Sequence, residues 1–241
     1  LAEKYCFRYK YDRNGNVCET YIPGRDEPDM ATYDDAGRLT ASSTGTMRSD
    51  ALSEAYRYDA LGRLTAVRTK GQSTDTPGML YIYDSYSSGA EWSGHGFLAV
   101  EGVVGQSDLL AVPRGMKTHE RIYELTDKGA AAARSSRRTF YYDARGRIVQ
   151  AVETSPMGRT VRTSCKYDYT GNILLRHEQY TIGGTTTVVA YAYTYDSRGR
   201  VTSEKTSVDG EQITDIAYTY DDLGQIKKIT AGSDIETTYT Y

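Results

Sequence analysis

The chain has 241 residues, a formal net charge of −3 and a pI near 5.7, a balance that argues against a general nucleic-acid binder. No stretch approaches the ~18–20 continuous apolar residues that a membrane helix needs, so no membrane span is expected in this segment. Leu, Ile, Val and Phe together number only 40, below the ~20% at which disorder becomes a concern, but the low net charge fails the second condition for disorder. The missing apolar mass is carried by 23 tyrosines. Tyrosine offers an apolar body with a polar tip that stays in water, which suits a thin sheet with half-buried faces.

The predicted elements follow one recurring signal. Tyr-Asp occurs at Tyr11-Asp12, Tyr33-Asp34, Tyr58-Asp59, Tyr83-Asp84, Tyr142-Asp143, Tyr167-Asp168, Tyr195-Asp196 and Tyr220-Asp221. In every copy except that of Tyr83, glycine follows Asp by three, at Gly15, Gly37, Gly62, Gly146, Gly171, Gly199 and Gly224. The motif tyrosines are spaced by 22, 25, 25, 59, 25, 28 and 25 residues, a period that signals an array of one supersecondary unit. The step of 59 reads as two ordinary steps with extra loop.

The first copy, "DRNGN" at 12–16, resembles the start of a calcium loop but lacks the Gly and Glu required at its sixth and twelfth positions, so turn chemistry is expected there. Cys6 and Cys18 flank this turn. Counted along the strands they sit about four positions apart, roughly 13 Å, beyond the ~7 Å reach of a disulfide. "AYRYDALGRLTAVRT" at 55–69 shows the unit whole. Tyr56 and Tyr58 share a strand face. Asp59 and Gly62 take the first and fourth positions of a type I turn, with Gly left-handed in a bulged hairpin. Leu64 and Ala66 then alternate with Arg63 and Thr65 on the returning strand. Each Asp is a turn cap bonding its own backbone rather than an acid–base group.

Residues 85–139 break the pattern. "GFLAVEGVV" and "HERIYEL" read as strands of a degenerate unit, and "KGAAAARSSRR" at 128–138 as a loose basic loop. Trp92, the sole tryptophan, and His95 lie in Gly-rich surroundings. Two readings stand for them: a ligand or glycan platform, or a plug covering the sheet, the plainer of the two because most loops bind nothing recognisable. Arg134, Arg137 and Arg138 are expected in a solvated loop. From residue 140 the hairpins resume. "SPMG" at 155–158, "IGGT" at 182–185, "VDGE" at 208–211 and "AGSD" at 231–234 mark turns at the other end of the strands. The expected organisation is hairpins over 1–84, a degenerate repeat or irregular insertion over 85–139, and hairpins over 140–241, as one array cut from a longer protein. The expected fold is all-β, a curved antiparallel meander.

"YDALGRL" at 58–64, "YDARGRI" at 142–148, "YDSRGRV" at 195–201 and "YDDLGQI" at 220–226 resemble the YD repeats of RHS proteins, whose relatives include insecticidal toxin-complex shell subunits and animal teneurins. The resemblance covers nearly the whole chain. It implies a spiral strip of antiparallel sheet in the wall of a hollow shell, at a cell surface or secreted, with neighbouring repeats and a C-terminal toxin or effector cargo, or a cell-surface glycan, as partners. The family's Asp-Pro autocleavage motif has no counterpart, since the sequence holds no Asp-Pro pair. No nucleophile–base set, P-loop or zinc spacing is visible. The expectation is therefore a structural segment without enzyme activity, metal or cofactor, the alternative being an extracellular carbohydrate- or partner-binding module.

Overall fold

The computed structural model describes residues 6–45, 53–69, 78–87, 92–123, 135–233 and 235–241. It is all-β: among the described residues there is no α-helix, and a turn of 3₁₀ helix lies at Gln106–Asp108. The chain divides into two compact units, one holding residues 1–82 with 120–135, the other 83–119 with 136–241.

In the first unit, seven strands form an antiparallel meander: β1 (Arg8–Tyr11), β2 (Val17–Tyr21), β3 (Asp29–Tyr33), β4 (Leu39–Ser43), β5 (Ser53–Tyr58), β6 (Leu64–Thr69) and β7 (Met79–Tyr83). β8 spans Lys117–Tyr123. In the second unit, nine strands repeat the meander: β9 (Ser135–Tyr142), β10 (Ile148–Thr154), β11 (Thr160–Tyr167), β12 (Ile173–Ile182), β13 (Thr185–Tyr195), β14 (Val201–Val208), β15 (Glu211–Tyr220), β16 (Ile226–Ala231) and β17 (Ile235–Thr238).

The two ends of the strands use different turns. At the Asp ends, Asp34 N–H donates to the Arg38 carbonyl and Gly37 N–H to the Asp34 carbonyl, both at 2.9 Å, and Gly37 sits at φ 75°. This is a type I turn closed by a left-handed glycine. At the opposite ends, Gly183-Gly184 (φ 57° and 87°) and Asp209-Gly210 (φ 49° and 89°) make two-residue connections with both residues left-handed, the type I′ geometry that matches strand twist.

A register shift beside each Asp turn corrects one expectation. Tyr58 pairs with Leu64, but Arg57 pairs with Ala66, leaving Thr65 as an extra residue. Alternation past the turn therefore slips by one. Val67, not Ala66, lies opposite Tyr56, because a bulge sets two residues against one. The same shift leaves Thr40, Val149, Leu174, Thr202 and Lys227 unmatched.

The expected strand at "GFLAVEGVV" is not formed. Residues 96–104 carry only a single bridge, Val100 to Val104, around a tight turn. With Gly96, Gly102 and Gly105 in so short a stretch, the run lacks the continuous side chains that stabilise a ladder. "HERIYEL" does begin as strand, within β8. The basic loop is also corrected. Residues 124–134, Arg134 among them, lie outside the described residues, whereas Arg137 and Arg138 stand on β9. There the Arg138 Nε lies 3.0 Å from Glu153 on the neighbouring strand.

Candidate functional site: locked turns and an inserted plug

Each Asp turn is closed by one carboxylate. Asp34 Oδ1 accepts from the N–H groups of Ala36 (3.0 Å) and Arg38 (2.9 Å), while Oδ2 accepts from Arg38 Nε at 2.7 Å. Asp59, Asp143 and Asp196 repeat the pattern with Arg63, Arg147 and Arg200. Asp12 and Asp168 close on Asn16 and Asn172, and Asp221 on the backbone N–H of Gln225. The glycines at 15, 37, 62, 146, 171, 199 and 224 all have φ between 75° and 106°. Gly146→Val places a β-branched residue in that left-handed region, and the added Cβ meets the Met116 methyl at 3.1 Å. The expected loss is about 1–2 kcal/mol, read as a lower urea midpoint.

The backbone N–H four residues on is the largest influence holding the carboxyls of Asp34, Asp59 and Asp196 below the usual range. The Thr170 hydroxyl leads in doing the same for Asp168. A carboxyl depressed in the folded state contributes stability that is present above its ordinary value and lost as pH falls through its own lower value. Acid loss of the turns is therefore expected only below about pH 3.9, checked by far-UV circular dichroism during acid titration.

These turns also bind unit to unit. Five motif tyrosines donate their hydroxyls to the carbonyl five residues after the preceding motif's Asp. Tyr33 reaches Val17 (3.0 Å), Tyr58 Leu39 (2.8 Å), Tyr167 Ile148 (2.7 Å), Tyr195 Ile173 (2.8 Å) and Tyr220 Val201 (2.6 Å). At the turns of Asp34, Asp143 and Asp196 the arginine four residues on lies over that same ring: Arg38 over Tyr58 at 4.9 Å, Arg147 over Tyr167 at 4.6 Å and Arg200 over Tyr220 at 4.2 Å. Each such contact contributes about 0.5–1 kcal/mol or more when partly desolvated. Sequence reasoning assigned no role to these arginines, although their recurrence directly after the turn glycine was a usable signal.

The irregular copy at Tyr83-Asp84 obeys the same rule. Asp84 N–H donates to the carbonyl of Met116 at 3.1 Å, the bond that elsewhere joins Asp to the fourth residue on. Gly115 is left-handed (φ 77°) and its N–H reaches the Asp84 carboxylate. Tyr142 then donates to the Lys117 carbonyl at 2.6 Å. Gly115, Met116 and Lys117 thus occupy the third, fourth and fifth positions after Asp84. Of the two readings given for 85–139, a degenerate repeat or an irregular insertion, this bonding fits an insertion. The long step is one unit whose turn has received an insertion, with the chain diverted at Asp84 into φ 66°.

The insertion folds onto β9, β10 and β11 as a plug. The buried Gln150 amide binds the Leu98 backbone in both directions, accepting from its N–H (3.0 Å) and donating to its carbonyl (2.7 Å), and it also donates to Ser164 (2.8 Å). Arg162 donates to the carbonyls of Gly96 (2.7 Å) and Gly94 (3.1 Å) and to Gln150 Oε1 (2.7 Å). Val104 of the plug packs with Tyr141 and Val149, joined by Phe97, Val100 and Leu109. Val149 is the extra residue of its bulge, so the register shift supplies a core side chain.

Trp92 and His95 are each only 3% exposed, which, of the two readings, favours the plug over the platform. The Trp92 ring meets His95 edge-on at 5.6 Å and His119 at 4.7 Å. His95 shares hydrogen bonds with Thr139 (3.0 Å) and Thr154 (2.9 Å), and its carbonyl accepts from the Tyr141 hydroxyl at 2.9 Å. Burial is the main cause pushing the His95 ring down to about 4. An open groove of about 670 Å³ separates plug residues 99–108 from the Asp143 turn, lined in part by Glu101, Asp108, Arg145, Lys166 and Tyr167. Its charges are of both signs. No group of metal-ligating side chains occurs among the described residues.

Residues 33–74 match the family model described as RHS Repeat. No curated protein matches the chain. Among solved structures, the chain is similar over 98% of its length to a chain in the crystal structure of TcdB2-TccC3-Cdc42, at 19% identity and a TM-score of 0.32. It is likewise similar over 98% to a chain of the Photorhabdus luminescens Tc holotoxin pore, at 16% identity and a TM-score of 0.30. It spans 13% of the length of each of those chains.

Proposed function

We propose that this chain, an RHS-repeat protein, is a non-enzymatic wall segment of a β-sheet shell that scaffolds or encloses a C-terminal domain of its parent protein outside the cell. The observation that carries this reading is the lock between successive repeats. The Asp closes its own turn and the motif tyrosine grips the preceding repeat, an arginine of that repeat lying over the rings of Tyr58, Tyr167 and Tyr220. The conspicuous polar residues of the array are thereby committed to architecture rather than to chemistry.

A wall protects what it encloses. In the parent protein, whatever domain follows the array should resist added protease while the wall is intact, and become cleavable when several turn glycines are replaced by valine. Equal cleavage of the two forms would sink the reading. The alternative, a carbohydrate- or partner-binding module, loses its proposed platform with the burial of Trp92 and His95. Glycan-array binding by the intact chain would restore it.

A further inference from the structure

We propose that the plug is an acid-released latch: protonation of His95 frees residues 92–110 from β9–β11 and bares a polar seat while the sheet stays folded. This goes beyond the role as a wall. It rests first on the composition of the seat. Thr139, Gln150 and Ser164 are wholly buried beneath the plug, and Arg162 nearly so. A surface meant to stay dry is normally apolar, because a buried polar group costs free energy unless it is hydrogen-bonded. Here the part of the seat under residues 94–98 is made of groups that water can also satisfy, beside an apolar part where Tyr141 and Val149 meet Val104. The rest of the same unit stands without a plug, its strands β12–β16 being largely half-exposed. The sheet therefore tolerates wet faces.

The second observation is the setting of His95. A neutral imidazole offers one donor and one acceptor, and both ring nitrogens are engaged, with Thr139 of β9 and Thr154 of β10. Thr154 is itself bonded to Thr160 of β11 at 3.0 Å. The charged and titratable groups acting on the ring are Arg137 of β9, Arg162 of β11 and His119 of β8, all opposing a positive charge. Glu153, beside Thr154 on β10, is engaged with Arg138. On the plug itself, Trp92 packs against the ring. A second proton on His95 thus creates a buried cation among guanidinium groups. The relief is to carry the ring into water, and the plug goes with it.

The sign follows from linkage. A histidine held below its free value favours the closed plug above about pH 6.5, and that preference fades as pH falls toward about 4. Across this window the closed-to-open ratio should drop about tenfold per pH unit, the slope for one proton. The turn carboxylates titrate lower, so the two events separate.

Trp92 is the only tryptophan, so its fluorescence reports the plug alone. Between about pH 6.5 and 4, its emission should shift to the red and become open to a soluble quencher, while the far-UV circular dichroism of the sheet holds. His95→Gln should keep Trp92 shielded through the same window. The idea is overturned if wild-type Trp92 stays shielded to pH 4, if the sheet signal falls together with it, or if His95→Gln releases at an unchanged pH. Should His95→Gln fail to seat the plug at neutral pH, nuclear magnetic resonance of the wild-type His95 ring decides. Its titration must share a midpoint with the Trp92 shift, and titration without that shift ends the proposal.

Discussion

Arg162→Ala is expected to destabilise the second unit by about 3–5 kcal/mol, one of the two largest losses anticipated from a single substitution. The guanidinium serves the carbonyls of Gly94 and Gly96 and the Gln150 side chain at once. Its removal takes the donor from the Gly94 and Gly96 carbonyls, each worth about 1–3 kcal/mol when buried and unpaired, and leaves Gln150 Oε1 with the Leu98 N–H alone. The loss should appear as a lower urea midpoint, with Trp92 emission changing before the sheet signal does. Arg162→Lys restores one donor and should recover only part of the loss, because an ammonium cannot span the fork that reaches two carbonyls. An unchanged midpoint in Arg162→Ala would mean that the plug is held by its apolar contacts alone.

Trp92→Ala should cost about 3–5 kcal/mol, the usual range for truncating a buried tryptophan. The indole fills the space between His95 and His119. Its buried Nε1 has no hydrogen-bond partner, so Trp92→Phe forfeits no bond and should cost markedly less. Both are read by circular dichroism during urea unfolding. Equal losses for the two variants would place the importance of Trp92 in its nitrogen rather than in its bulk.

The hairpins were legible because their turn chemistry is local. Asp and Gly three residues apart specify a type I turn with a left-handed close, whatever surrounds them. The bulge at Thr65 was not legible, since counting faces by twos assumes that no residue is skipped, and only pairing with the next strand reveals the skip. The insertion at Asp84 was hidden for a different reason. Its turn is completed by Gly115 and Met116, which no local window joins to Asp84. The burial of Trp92 was equally invisible, because the Gly-rich stretch around it has no periodicity to assign a face. Arg38, Arg63, Arg147 and Arg200 were visible as a recurrence, but the role of those that grip a ring depends on a tyrosine about twenty residues downstream.

The Asp84 turn keeps its closing bond although a long segment lies between Asp84 and Met116. Register in the array is thus set by Asp and the three residues that end the turn, not by what the chain does between them. Each turn is by that logic a graft acceptor, able to take foreign sequence if the residue pair that closes it is preserved. A loop library cloned between Asp196 and Gly199 would test how general that tolerance is, and would make the array a display scaffold whose payloads share one orientation within the unit.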